Sequence, residues 1–203
     1  MPRIIAGRWR GRTLQTPQGH QTRPTADRVK EAVFSSIHDR LEGAYFLDVC
    51  SGSGSVGLEA LSRGAIRADL VEPKRQAADV IQHNIDQLEA DGAHLHRKTL
   101  AQALPALEYL QHEGIVPAGY RFIFLDPPYQ QGQRIGKRLA EAIEAQGLLE
   151  EGGMLIQEID DKDPSYDYTP YGLELERRKR YGNTTVLYYQ QIRPQDEAGR
   201  NAP

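Results

Sequence analysis

The sequence has little of what secreted and membrane proteins depend on. It contains one cysteine, Cys50, so no disulfide can form within the chain. No apolar run approaches the ~20 residues of a membrane-spanning helix, and the basic N-terminal residues lack the apolar segment of a signal peptide. These absences predict a cytoplasmic protein. We interpret Cys50 as a small core residue rather than a nucleophile, because no histidine stands near it in sequence.

Metal ligands are also scarce. The six histidines, at positions 20, 38, 83, 94, 96 and 112, show no ligand spacing such as His-Glu-x-x-His, so no metal site is expected. A length of 203 residues, with 39% hydrophobic and 26% charged residues, suits one globular domain with a small appendage. A second large domain has no room.

Charge is distributed unevenly along the chain. The net charge at pH 7 is −3, yet residues 1–30 contain seven arginines and lysines against one aspartate, a net of +6 that leaves −9 for the remainder. A basic segment attached to an acidic body predicts a polyanionic partner at the N-terminal end.

Residues 3–14, the arm hairpin, are predicted to form a short hairpin or extended segment with turns or bulges at Gly7 and Gly11. If residues 8–12 are extended, alternation places Arg8, Arg10 and Arg12 on one face and Trp9 on the other. The arginines would then contact phosphates. Trp9 would anchor the segment by packing or, as the less favoured alternative, stack on a base.

Beyond residue 44 the pattern alternates between strands and helices, which predicts an α/β fold with a mostly parallel sheet and right-handed crossovers. The first helix follows a turn-rich linker, is capped by Thr25, and has an apolar stripe at Val29, Val33, Ile37 and Leu41. The predicted strands cover 45–49, 67–72, 94–98, 120–126, 153–159, 173–180 and 184–192. The later predicted helices cover 55–63, 74–90, 100–112 and 133–146.

Two local features complete this prediction. Pro105 is expected in the first turn of its helix, where a missing N–H is tolerated. The last two strands flank Tyr181-Gly182-Asn183 and should form an antiparallel hairpin. The chain is thus expected to divide into a basic N-terminal arm, an α/β domain and a disordered tail, at residues 1–24, 25–192 and 193–203.

The segment 47–57 contains the first chemical signal. It is typical of a strand, a Gly/Ser loop and a helix start, in which Gly52 and Gly54 can adopt positive φ and Gly57 allows the helix to pack closely. Such a loop binds a nucleotide-like cofactor. The spacing also fits the dinucleotide-binding fingerprint, with Glu72 placed 20 residues after Gly52 where a ribose-binding acid is expected. More than one cofactor is therefore possible at this point.

Asp126-Pro127-Pro128-Tyr129 is the motif that discriminates between them. It follows the most apolar predicted strand and should meet the glycine loop at the carboxyl edge of the sheet. The Asp126 carboxylate and the Pro127 carbonyl would accept both N–H bonds of an exocyclic amine while Tyr129 stacks on the base. This arrangement would expose the lone pair of the nitrogen to a methyl donor.

The ordered set Asp48-x-Cys50-x-Gly52-x-Gly54, Glu72 and Asp126–Tyr129 resembles the S-adenosylmethionine-dependent amino-methyltransferases. Residues 3–12, Arg23-Pro24-Thr25 and residues 57–65 closely resemble the RsmD family, which methylates the exocyclic N2 of a guanosine in bacterial small-subunit (16S) ribosomal RNA. The resemblance implies a Rossmann-like class I methyltransferase fold with seven strands. It also implies S-adenosylmethionine as cofactor, S-adenosylhomocysteine as product, and ribosomal RNA, free or within a 30S particle, as partner. Neither a membrane nor an obligatory protein partner is implied.

The resemblance also assigns roles by position. The catalytic residues would be Asp126, Pro127, Pro128 and Tyr129. The cofactor-binding residues would be Asp48, Cys50, Ser51, Gly52, Ser53, Gly54, Glu72, Pro73, Lys74, Thr99 and Leu100. The RNA-binding residues would be Arg3, Arg8, Trp9, Arg10, Arg12, Arg23 and Thr25. Two positions depart from the family pattern: Thr99 stands where Asp or Asn is usual, and Lys74 where an acidic residue is common.

Other functions fit parts of the sequence. A nicotinamide-dependent oxidoreductase would use the same glycine loop, but it would leave Asp126–Tyr129 without a task. A non-catalytic ribosome-assembly factor would not need the loop. An adenine-N6 methyltransferase acting on DNA or RNA is the main alternative, because the same motif suits that amine. The basic cluster at residues 177–180 is either a solvated strand end or a further RNA contact.

Overall fold

The computed structural model describes residues 2–17, 27–116, 118–128, 131–160 and 172–191. The predictions for Arg23, Thr25, Tyr129 and the C-terminal tail fall outside these residues. By its internal contacts the chain divides into two units, Met1–Ala103 and Leu104–Pro203. The predicted boundaries at residues 24 and 192 stay predictions.

The first unit is an α/β layer of three parallel strands in the order β3-β2-β1. Its elements are α1 (Asp27–Ser36), a 3₁₀ turn (His38–Arg40), β1 (Tyr45–Val49), α2 (Ser55–Ser62), β2 (Arg67–Val71), α3 (Arg75–Leu88) and β3 (Ala93–His96). Each predicted strand and helix is confirmed, with small shifts at the ends. The four residues of the predicted stripe, Val29, Val33, Ile37 and Leu41, are at most 3% exposed, but α1 ends at Ser36, so Ile37 and Leu41 flank the 3₁₀ turn instead of lying on the helix.

The second unit contains four strands in the order β4-β5-β7-β6, which brings the mixed sheet to seven strands. β4 and β5 are parallel, whereas β7 is antiparallel to both β5 and β6. Gly182, with φ 65°, and Asn183 form the predicted turn between β6 and β7. The elements are α4 (Leu100–His112, which begins at the end of the first unit), β4 (Tyr120–Leu125), α5 (Gly132–Gln146), β5 (Leu149–Asp160), β6 (Leu173–Tyr181) and β7 (Thr184–Gln191).

Two predictions for the second half of the chain were wrong in detail. β5 begins at Leu149 rather than at residue 153, because Leu149 already pairs with Tyr120 of β4. The register then shifts, and pairing resumes between Met154 and Phe122. Pro105 lies inside α4, beyond the first turn. Its ring is exposed, and Ala101, whose carbonyl loses a helical N–H partner at Pro105, is half-buried.

Gly57 sets the distance between α2 and the strands beneath it. A Cβ atom at this position would lie 3.1 Å from Leu70 Cδ2 and 3.4 Å from Asp48 Cβ. Every residue of α2 is buried, so the helix has no solvent-facing side onto which it could shift. The predicted close packing at Gly57 is confirmed.

The arm hairpin forms as predicted, but its turn is not extended. Arg3 and Thr13 form an antiparallel bridge, and the Ile4 N–H donates to the Arg12 carbonyl at 2.9 Å. Between these strand-like ends residues 8–11 are in turns, with Gly7 at φ 84° and Gly11 at φ 83°. The predicted alternation of arginines against Trp9 is therefore wrong, because two left-handed glycines close a tight loop instead.

A buried carboxylate attaches the arm hairpin to the first unit. Glu59 of α2 has no exposed side-chain surface and accepts the backbone N–H groups of Ile5 (2.7 Å) and Ala6 (3.0 Å). Its charge is balanced by Arg63 Nε at 2.7 Å and by Lys30 Nζ at 3.3 Å. Burial lowers the pKa of Lys30, and the Glu59 carboxylate opposes that change.

Further backbone contacts hold the turn of the arm hairpin against the end of α2. The Ser62 hydroxyl donates to the Ala6 carbonyl at 2.6 Å and accepts the Trp9 N–H at 3.0 Å. The Ser62 carbonyl accepts the Arg8 N–H at 2.8 Å. A Cβ atom at Gly7 would lie 1.7 Å from that carbonyl oxygen, so no other residue fits there without displacing the hairpin.

Gly7→Ala is therefore expected to detach the arm hairpin, whereas Gly11→Ala is its matched control. Gly11 has nearly the same φ but no atom within 4 Å of the added Cβ. The control should lose only the ~1–2 kcal/mol of a left-handed non-glycine residue. Trypsin cleavage after the arm arginines, followed by mass spectrometry, should be much faster in Gly7→Ala. Equal cleavage rates in the two variants would contradict the proposed contact.

Candidate functional site

The Gly/Ser loop, residues 50–54, lies at the carboxyl ends of β1 and β2, where ligands bind in α/β folds. The N–H groups of Cys50 and Ser51 donate to the Val71 carbonyl at 3.1 and 3.2 Å, which fixes the loop against the end of β2. The Ser51 hydroxyl donates to the Asp48 carbonyl at 2.7 Å. Gly52 and Gly54 adopt φ values of 58° and 75°, as predicted from their positions.

Glu72 joins this loop to the start of α3. It is 6% exposed, and its Oε2 accepts the Gly52 N–H at 3.0 Å while Oε1 accepts the Lys74 N–H at 2.9 Å. Each carboxylate oxygen can accept a further hydrogen bond. Glu72 is therefore held in place by the backbone and can also bind hydroxyl groups of a ligand.

Asp48 caps α2 from the end of the preceding strand. The N-cap residue of α2 is Gly54, which has no side chain to satisfy the free N–H groups of the first turn. Asp48 Oδ2 accepts the Gly57 N–H at 3.0 Å in its place. Burial raises the pKa of Asp48 to about 7; the bond from Gly57 opposes that rise, and the charge of Glu72 adds to it.

The remaining predicted cofactor residues lie around these two acids. Cys50 is half-buried with φ 66°, so the interpretation as a core residue was wrong: it is a strained residue of the loop itself. Pro73 and Lys74 are exposed, and Leu100 is buried. Thr99 precedes α4, and both its N–H and its hydroxyl donate to Gln102 Oε1, at 3.1 and 3.0 Å. Thr99 is therefore part of a helix cap.

In the second unit, Asp126, Pro127 and Pro128 directly follow β4. This strand is deeply buried, as its apolar sequence predicts. Asp126 is half-buried, Pro127 is buried and Pro128 is exposed. The Pro128 carbonyl accepts the Gln131 N–H at 2.8 Å, just before α5. The predicted meeting of Asp126 with the Gly/Ser loop stays a prediction.

The described basic residues of the N-terminal arm are exposed. Arg3 lies 3.4 Å from Asp27, and the Arg8 guanidinium lies 3.8 Å from the centre of the Trp9 ring. Trp9 is half-buried, which is compatible with both of its predicted roles, while Arg10 and Arg12 face solvent. On β6, Arg177 lies over the Tyr188 ring and residues 178–180 are exposed, so both interpretations of that cluster stay open.

Sequence reasoning assigned no role to Asn84 of α3. This side chain is fully buried, and its Oδ1 accepts the Gln15 N–H at 2.8 Å. Its Nδ2 donates to the Gln15 carbonyl at 3.1 Å and to the Ser53 carbonyl at 2.9 Å. Lys30, Glu59 and Ser62 were also missed as attachment residues, although Glu59 and Ser62 belong to the segment 57–65 that resembles the family. A polar residue among the buried positions of an amphipathic helix was the available signal for Asn84.

No group of three or more His, Cys, Asp and Glu residues in the described part of the chain is arranged to hold a metal ion. Among the same residues, no helix is both long and apolar enough to cross a membrane.

The raised pKa of Asp48 predicts a pH-dependent stability. Folding favours the protonated carboxyl, so the free energy of unfolding should fall as pH rises from about 4 to about 7 and then level off, by up to ~4 kcal/mol. Asp48→Asn should remove this contribution, since its amide oxygen can still accept the Gly57 N–H. Urea unfolding from about pH 5 to pH 8 measures it. Exposed Asp39→Asn is the control and should follow wild type; an Asp48→Asn profile parallel to wild type would contradict the assignment.

Known proteins resemble this chain over nearly its whole length. The solved structure of Escherichia coli yhhF superposes with a TM-score of 0.75 at 30% identity and covers 93% of this chain and 97% of its own. An RNA methyltransferase from Salinibacter ruber, solved with S-adenosyl-L-homocysteine, has a TM-score of 0.60 at 16% identity, with coverages of 85% and 97%. The likeness to the second protein shows a common fold.

Two curated relatives are more informative about family. YlbH of Bacillus subtilis (strain 168) is 36% identical over 92% of this chain and 97% of the relative. Ribosomal RNA small subunit methyltransferase D of Escherichia coli (strain K12) is 33% identical over 93% of this chain and 89% of the relative. The family described as conserved hypothetical protein 95 matches residues 2–190. The chain therefore belongs to this family, the RsmD family that its motifs resemble.

Proposed function

We propose that this protein transfers a methyl group from S-adenosylmethionine to the exocyclic N2 amine of a guanosine in small-subunit ribosomal RNA. The main structural support is the pair of buried acids, Asp48 and Glu72, beside the Gly/Ser loop. Membership of a family that includes a ribosomal RNA small subunit methyltransferase adds independent support.

The chemistry of the acid pair fits this cofactor. The charge of Glu72 helps to keep the pKa of Asp48 high, so a cationic ligand would relieve an existing repulsion. S-adenosylmethionine has an ammonium and a sulfonium group and supplies an electrophilic methyl group. Asp48 and residues 51–54 would hold its methionine part, and Glu72 would accept bonds from its ribose hydroxyls. Because the side chain of Thr99 already caps α4, the neighbouring backbone is the better candidate for binding adenine.

Residues after β4 would bind the target base. The Asp126 carboxylate and the Pro127 carbonyl would accept the two hydrogens of the amine, while Tyr129 stacks on the ring. Such a grip favours a pyramidal nitrogen with an exposed lone pair, which a delocalised amine otherwise lacks. The target must lie in a loop or be flipped out, since a paired guanosine cannot enter a pocket. The exposed arginines of the N-terminal arm would bind flanking phosphates.

Nucleoside mass spectrometry of RNA methylated in vitro tests the choice of base. N2-methylguanosine is the expected product, and N6-methyladenosine would establish the adenine alternative. The same analysis of ribosomal RNA from a strain without this protein should show one unmodified guanosine. A co-purified cofactor with nicotinamide absorbance would instead favour the oxidoreductase.

Asp126→Ala should abolish methyl transfer and leave cofactor binding nearly unchanged, because the carboxylate is proposed to bind the target amine and not the cofactor. Tritium transfer to RNA measures the first effect and calorimetry with S-adenosylmethionine the second. Glu108→Ala, which removes an exposed carboxylate on α4, is the control and should behave like wild type. Wild-type turnover in Asp126→Ala would remove this residue from the mechanism.

Replacing Arg8, Arg10 and Arg12 together by Ala should weaken RNA binding and flatten its salt dependence. Three lost phosphate contacts should reduce the slope of log K against log salt by ~2, at about 0.7 per contact for single-stranded RNA. The exposed pair Lys137 and Arg138 on α5, changed to Ala, controls for loss of positive charge. An unchanged slope in the triple variant would show that the arm hairpin does not contact RNA.

A further inference from the structure

Asn84 contacts both the N-terminal arm and the Gly/Ser loop. Its amide forms two hydrogen bonds with the backbone of Gln15, at 2.8 and 3.1 Å, and one with the Ser53 carbonyl, at 2.9 Å. The side chain is 0% exposed. One buried amide is thus shared between the segment proposed to bind RNA and the loop proposed to bind the cofactor.

The two sets of bonds depend on each other. If residue 15 moved away, Asn84 would lose the partner of its oxygen and of one amide hydrogen, and each group left buried and unpaired would cost ~1–3 kcal/mol. The amide would then rotate towards other partners or admit water, and the bond to Ser53 would lose its fixed geometry. Order in the arm therefore stabilises one conformation of the loop.

A second attachment reinforces this dependence. The arm hairpin is bound through Glu59 and Ser62 to α2, the helix that begins immediately after Gly54. Ser53 is consequently held on one side by Asn84 and followed on the other by a helix that the arm hairpin also contacts. Gln87, one turn further along α3, contacts the arm: its Nε2 donates to the Thr13 carbonyl at 3.2 Å, and no bond to the Gly/Ser loop is present among the described residues.

We propose that Asn84 is a positioning residue that couples RNA binding on the N-terminal arm to cofactor binding at the Gly/Ser loop. The inference rests on the proposed function for the identity of the two ligands. RNA that fixes the arm holds the amide of Asn84, and the amide holds the Ser53 carbonyl. By reciprocity, the cofactor raises RNA affinity by the same factor.

The test is the affinity for S-adenosylhomocysteine, measured by calorimetry with and without a saturating small-subunit ribosomal RNA transcript. Wild type should bind about fivefold more tightly with RNA present, at the lower end of typical coupling. Asn84→Ala should show the same affinity in both conditions. Gln87→Ala is the matched control, because it removes an arm contact without touching the loop, and it should keep the wild-type ratio.

The outcomes separate the coupling from the proposed function. Failure of wild type to bind S-adenosylhomocysteine, or to bind the RNA both as the transcript and within 30S particles, would contradict the proposed function, whereas binding of both ligands with a ratio of one would overturn the coupling alone. An undiminished ratio in Asn84→Ala would also overturn it. A purely structural role would lower both affinities equally and leave the ratio unchanged.

A second variant covers the case in which Asn84→Ala does not fold. Asn84→Asp keeps an acceptor for the Gln15 N–H but sets an oxygen against the Ser53 carbonyl, so its ratio should also fall to one. If neither variant folds, hydrogen exchange at the backbone amides of Ser53 and Gly54 in wild type decides. Slower exchange on adding RNA alone would support the coupling, and unchanged exchange would overturn it.

Discussion

The first unit depends on carboxylates that have been removed from water. Burying an ionised side chain costs several kcal/mol unless partners replace the lost hydration. The partners of Glu59 are two cationic side chains and two backbone N–H groups. The two N–H groups belong to the arm hairpin, so the same bonds fix its start to α2. Asp69 receives them from Arg67, at 2.6 and 2.9 Å, and from His96, at 2.7 Å.

The pKa values of two buried acids, Asp69 and Asp48, are shifted in opposite directions. Burial alone would raise the pKa of Asp69, but the bonds from His96 and Arg67 lower it below its ordinary value. Asp48 is buried to a similar degree, yet its partner is a single backbone N–H, and its pKa rises to about 7. The negative charge of Asp69 is thus compensated by Arg67 and His96 within the fold. The carboxylate of Asp48 has no such cationic partner among the described residues, so a bound cation would stabilise its charged form, a property often found in functional residues.

Much of the fold could be predicted from local patterns. The α1 stripe, the strand ends before Gly52 and Glu72, and the Gly182-Asn183 turn each follow from periodicity or from a backbone conformation that glycine permits. The errors arose where tertiary contacts override those patterns. Residues 8–11 turn rather than extend because Gly7 and Gly11 close the loop and Ser62 binds the N–H groups of Arg8 and Trp9. β5 begins before Gly152 because Leu149 already pairs with Tyr120 of β4.

The candidate site was predictable in part for the same reason. Gly52, Gly54 and Glu72 belong to a motif with fixed spacing, so their meeting at the ends of β1 and β2 could be predicted from the sequence alone. Asn84 and Gln15 lie 69 positions apart, and only the folded chain brings them together. Thr99 was predicted to bind the cofactor, but Gln102 stands three residues later, a spacing that is also typical of a helix cap.

The arm hairpin buries the side chains of Ile4 and Leu14 but makes its hydrogen bonds to α1 and α2 through its main chain. The groups that bind Lys30, Glu59 and Ser62 are the carbonyls of Arg3 and Ala6 and the N–H groups of residues 5, 6, 8 and 9. Apart from Gly7, attachment at these positions thus places little demand on side-chain identity. The outward-facing residues could therefore differ among relatives while the hairpin keeps the same backbone contacts with α2.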